Sequence, residues 1–186
     1  MTTATLGRRL SPMLVTIAVV LFCVGLLLGI YTFTARSPEP EPHVAGTNAW
    51  PVHLVLAVLT VLWLVFAYRR RARGNDPQRL LLLAPVGARA ASRIGITTDR
   101  ARRQPATALR LVLAVGFAAM IAYGAVRAGL QITGGLDSDF TVNAWGGPSY
   151  LGALLCHYLD GALIVAVCAN IVDALLLPAE DPTREG

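Results

Sequence analysis

This 186-residue chain has no lysine, and all 16 of its basic residues are arginine. Charge of either sign is scarce, at 15% of residues, while 55% are hydrophobic and the mean hydropathy is +0.58. A soluble domain carries about 25% charged residues, so the composition excludes an ordinary water-soluble fold and makes the bilayer the expected solvent. Lysine-free basicity beside many glycines and prolines points to a GC-rich bacterial genome. The sequence also lacks GxSxG, HExxH, Walker A and dinucleotide-binding glycine patterns, which removes the usual soluble catalytic chemistries. Cysteine is rare: Cys23, Cys156 and Cys168 all sit in apolar runs, with no Cys-x-x-Cys pair. Neither a disulfide framework nor a cysteine metal site is indicated, and the three read as small buried hydrophobes. The net charge of +5 does not argue for nucleic acid. A nucleic-acid face needs basic residues with stacking aromatics on a folded surface, and here the arginines cluster between apolar runs.

Those runs are what the chain has in abundance. A helix needs roughly 20 apolar residues to cross the hydrocarbon core, and four segments approach that length: residues 11–34, 50–68, 107–129 and 149–177. The expected architecture is all-α, a four-transmembrane-helix bundle made of two helical hairpins in a single integral membrane domain. Arg110 and Arg127 lie near the ends of the third span, where their side chains can snorkel to the headgroups.

Arginine placement sets the expected orientation, because cytoplasmic loops are enriched in basic residues. Arg8 and Arg9 precede the first span, and the connection over residues 69–106 holds ten arginines against Asp76 and Asp99. The other two connections contain Glu39, Glu41, Asp137 and Asp139 with only Arg36. Both termini are therefore expected in the cytoplasm of a bacterial cell, with the spans in the inner membrane. A cleaved signal peptide is the rival for the first run, but that run is long for a signal sequence and Phe33 fits a cleavage site poorly.

The triplet Asn-Ala-Trp occurs twice, at Asn48–Trp50 and Asn143–Trp145, each time followed by a proline and a histidine. Both copies precede the second helix of a hairpin on the expected outer face. Tryptophan favours the interface, asparagine caps helices, and Pro51 and Pro148 suit a first helical turn. The repetition reads as a helix-start device used twice; whether it records duplication of a hairpin stays open.

Helices in lipid associate through small residues that let backbones approach. Gly25 and Gly29 form such a step in the first span, Ala114, Ala118 and Ala122 in the third, and both read as internal packing rather than a dimer face. The basic connection contains "QRLLLLAPVGARAASRIG", residues 78–95, in which apolar residues alternate with Arg79, Arg89 and Arg93. A short interfacial helix broken at Pro85 would let the leucines dip while the arginines meet anionic lipid.

Ionisable groups inside a membrane are costly and so are the first candidates for function. The fourth span carries His157, Asp160 and Asp173 beside Asn170. His157 and Asp160 stand one helical turn apart, a spacing at which a carboxylate orients an imidazole, and Arg127 is placed to neutralise Asp160. His53 and His157 are also candidate axial ligands of a b-type haem, as histidines on two helices of one bundle. Their heights oppose this: His53 is two residues past Pro51 and His157 nine past Pro148, a difference of roughly 10 Å. The outer stretch "LDSDFTVN" only faintly matches a calcium loop, lacking its glycine and closing glutamate. The leading expectation is a non-catalytic accessory or scaffold component with a membrane-protein partner or a second copy of itself. The alternative is a haem-binding or proton- or ion-relay protein using His53, His157 and Asp160.

Overall fold

The computed structural model describes residues 11–72 and 88–178, which fold into helices with no strand among them. They are α1 (Pro12–Thr34), α2 (Trp50–Ala72), α3 (Ala88–Ala101), α4 (Pro105–Gly134), α5 (Ser138–Thr141) and α6 (Tyr150–Leu175). Arg8, Arg9, Arg79, Pro85 and the side chain of Arg89, all used in the topology and loop readings, lie outside the description. Three helices are long and apolar enough to cross a bilayer: α1, α4 and α6. The apolar part of α2, Trp50–Phe66, is shorter, so a fourth crossing does not follow from length and composition. At 30 residues, α4 is about 45 Å long against a hydrocarbon core of about 30 Å. It therefore extends beyond the span expected at 107–129.

Local sequence explains the helix ends. Ser11 precedes α1 with Pro12 at its first position, and its Oγ accepts from the Leu14 amide at 3.4 Å, the usual serine cap with proline just inside. At the far end of α1 the Arg36 guanidinium donates to the Phe33 carbonyl at 2.7 Å and lies 4.1 Å from the Phe33 ring centroid, placing a cation where helix carbonyls lack partners. Ser149 caps α6 by accepting from the Gly152 amide at 3.1 Å.

The chain divides into two compact units. In the first, residues 11–19, 88–123 and 164–178, α3 takes in residues 88–95 of the stretch expected to form an interfacial helix, whose residues 78–87 lie outside the description. Arg93 on α3 does not reach outward to lipid headgroups: its guanidinium bonds the carbonyls of Asp173 at 2.7 Å, Leu176 at 2.5 Å and Leu177 at 2.8 Å, and also the Asp173 carboxylate. Arg110 on α4 donates to the carbonyls of Ala174 at 3.1 Å and Leu175 at 3.0 Å, so it too serves α6 instead of snorkelling. Thr97 of α3 completes the arrangement, accepting from the Leu177 amide at 3.0 Å. The last turn of α6 thus has five successive carbonyls held by two cations from other helices, where no intrahelical donors remain.

In the second unit, residues 20–72 and 124–163, α1 packs on α4 through glycine. A Cβ on Gly25 would lie 1.9 Å from the Val126 carbonyl oxygen, and one on Gly129 would lie 2.1 Å from that of Phe22. Only glycine permits this approach, and Thr133 fastens it by donating to the Leu26 carbonyl at 2.8 Å, the small-residue and hydroxyl contacts expected of helices in lipid. The Gly25/Gly29 step is thereby used inside the chain. On the part of α4 that belongs to the first unit, Ala114 is buried, whereas Ala118 is exposed and a Cβ on Gly116 would meet nothing.

Two connections of this unit run side by side. The Glu41 amide donates to Asp139 at 3.1 Å, His43 Nδ1–H to the Val142 carbonyl at 2.9 Å, and the Val44 amide to Asn143 Oδ1 at 2.8 Å. Asn143 Nδ2 donates back to the Pro42 carbonyl at 3.3 Å. The acidic stretch that faintly matched a calcium loop is used here too: Asp137 caps α5 by accepting from the Asp139 amide at 3.1 Å.

Candidate functional site

The repeated triplet lies beside the site, and its two copies behave differently. The first starts a helix: Asn48 Oδ1 accepts from the Trp50 amide at 3.0 Å, and Pro51 sits in the first turn of α2. The second does not, because Asn143 is occupied with Pro42 and Val44, and α6 begins only at Tyr150, beyond Pro148. Instead the copies meet. The Ala49 amide donates to the Trp145 carbonyl at 2.8 Å, and Gly147 turns the chain beside Asn48 and Trp50 at φ +80°, a left-handed conformation that favours glycine.

Beneath this contact lies His53, in the first turn of α2. Its Nδ1–H donates to the carbonyl of Ala49, one turn back, at 2.9 Å. Its Nε2 lies 3.0 Å from Asp160 Oδ2 on α6, and the Trp145 ring stands 6.0 Å away, tilted by 50°. The His53 side chain is 5% exposed and that of Asp160 28%. The pair ties α2 to α6.

His157 shares the same local device, with Nδ1–H donating to the Ala153 carbonyl at 3.0 Å. His53, Asp160 and Arg127 all lie near enough to act on the charge of His157. The guanidinium of Arg127 lies 5.2 Å from the Phe140 ring centroid, a cation–π contact. The four residues singled out from the sequence therefore share one neighbourhood, but the imidazole held by Asp160 belongs to the other helix. Asp160 lies ten residues into α6 and His53 three into α2, so the two helices start at heights about 10 Å apart. Equal starting heights were the assumption behind the comparison of His53 with His157. Ligation of a haem iron by His53 Nε2 would require displacing Asp160.

Sequence reasoning missed Gln131, one turn beyond Arg127 on α4. It is 1% exposed, and neither Nε2 nor Oε1 has a hydrogen-bond partner, an arrangement that costs about 1–3 kcal/mol. A lone amide in an apolar run was the available signal. It also missed the tyrosines that knit α6 to α4: Tyr150 donates to the Ile132 carbonyl at 3.2 Å and Tyr158 to that of Ala128 at 3.0 Å. No protein-family model, curated protein or solved structure matches this chain.

Proposed function

We propose that this chain is an integral membrane protein that crosses the bacterial inner membrane four times with both termini in the cytoplasm, and that it serves as a non-catalytic structural component of a membrane assembly. Membrane insertion is supported by large apolar side chains turned outward on every long helix, Leu27 at 65%, Leu62 at 60%, Val112 at 67% and Leu151 at 66% exposure among them. Such surfaces are stable in lipid and prone to aggregation in water. α2 makes the fourth crossing. Its apolar stretch of 17 residues covers about 25 Å, and Arg69, exposed just beyond it, is placed to reach the headgroups by snorkelling. The arginine-rich connection stays inside and meets anionic lipid through arginines other than Arg93.

The observation that carries the structural reading is how the polar groups of the apolar helices are spent. Arg93 and Arg110 finish α6, His53 and Asp160 fasten α2 to α6, and Thr133 and two tyrosines tie helices to α4. Each joins one element to another. A phosphatase reporter, active only outside, should be active when fused after Gly46 or Gly135 and silent after Gly74 or Gly186; activity at Gly74 would overturn the topology. Crosslinking in membranes should capture a reproducible partner or a second copy, whereas a monomer that turns over a substrate would end the structural reading. The absorbance spectrum decides the haem alternative: a Soret band lost in His157→Ala would establish a cytochrome.

A further inference from the structure

Hydrogen-bond accounting at His53 leads beyond a structural role. A backbone carbonyl can only accept, so the contact to Ala49 fixes a proton on Nδ1. The other nitrogen faces a carboxylate oxygen at 3.0 Å, and two bare acceptors do not sit at that distance. One proton therefore lies between His53 and Asp160. It resides either on Nε2, giving an imidazolium and a carboxylate, or on Asp160, giving two neutral groups. Both forms have zero net charge, which is what a site surrounded by apolar helices tolerates.

We propose that His53 and Asp160 form a binding site for one exchangeable proton in this protein, with Asp160 as the exchanging group and His53 as the store. The exposures assign the roles, 28% for Asp160 against 5% for His53. Release breaks the bond between the proton and Asp160 or Nε2 and hands the proton to water, which has to reach the exposed side of the carboxylate from the membrane face; uptake reverses this. His157 and Cys156 of α6 lie within electrostatic reach of Asp160, and Arg127 of α4 within reach of His157. The Trp145 ring stands beside that of His53, 6.0 Å away. Emptying the pair leaves an imidazole nitrogen facing a carboxylate, so proton loss loosens the tie between α2 and α6. Proton occupancy thereby becomes a signal the helices can transmit.

The test is a pH titration of the full chain in lipid nanodiscs. Nitrogen-labelled histidines would be followed by NMR and the carboxyl group by infrared absorption. His43 and His157 are assigned by single substitution. Expected is an Nδ1 of His53 that stays protonated throughout, with Nε2 and the Asp160 carboxyl changing together at one midpoint. Asp160→Asn keeps an acceptor for Nε2–H and the tie to α2, and should move the His53 midpoint measurably. His53→Gln should uncouple the Asp160 carboxyl band from any histidine, and this variant serves if Asp160→Asn does not fold. A His53 midpoint unchanged in Asp160→Asn, or an Asp160 band that titrates identically in His53→Gln, would show a structural bond only. So would a pair that binds and releases no proton over the pH range in which the fold persists. None of these outcomes bears on the four crossings or on the structural role.

Discussion

At Gly25 and Gly129 the backbones of α1 and α4 approach until one added carbon has no room, and the atoms opposing it are carbonyl oxygens that cannot rotate away. Gly25→Ala should therefore cost about 3 kcal/mol, the upper part of the range for overpacking. Gly116→Ala, which meets nothing, should be neutral or stabilise by up to about 1 kcal/mol. Unfolding in mixed detergent micelles would measure both, and a Gly25→Ala protein as stable as the parent would refute the close approach. The GxxxG spacing made this contact legible in the sequence, because few arrangements other than close packing explain two glycines one turn apart in an apolar helix. The partner of Asp160 was less legible. Spacing along one helix pointed to His157, and nothing in a single sequence reveals how far one helix is shifted along another.

Helix α6 ends on carbonyls that side chains from two other helices complete, so its stability depends on residues distant in sequence. Arg93→Ala removes donors to three carbonyls and should destabilise the fold by about 3 kcal/mol. Asp173→Asn should cost less than about 1 kcal/mol, since that carboxylate is 53% exposed. Arg93→Lys should rescue little, because a single ammonium does not reproduce a planar fork of donors. Hydrogen exchange would read this directly, with the amides of Leu175–Leu177 losing protection in Arg93→Ala and keeping it in Asp173→Asn. The existence of α1, α4 and α6 was evident from long, largely apolar runs. The use of Arg93 and Arg110 was not, because an arginine near a membrane helix end is equally suited to a headgroup or to a helix terminus, and only the fold brings the terminus near.

For the whole molecule the decisive contrast is between surfaces that meet lipid and surfaces that meet protein. Cys23 is exposed, whereas Cys156 and Cys168 are buried. In sealed vesicles Cys23 should react with a lipid-soluble maleimide and resist a charged one, while the other two resist both until the protein unfolds. Labelling of Cys23 by the charged reagent from either side would place α1 against water and contradict its crossing. The all-helical class was readable from composition, since a chain this apolar needs lipid and lipid favours helices. The count of crossings was harder to read, because the apolar part of α2 stops where the arginines begin.

The dual-arginine finish of α6 imposes an order on biogenesis. α3 and α4 leave the ribosome before α6, so Arg93 and Arg110 enter the membrane environment with their eventual acceptors still unsynthesised. A nascent chain halted before Tyr150 holds both guanidiniums without the α6 carbonyls that accept from them. Arrival of α6 supplies the acceptors of both at once, the carbonyls of residues 173–177, so the two arginines and the helix they finish can only be satisfied together.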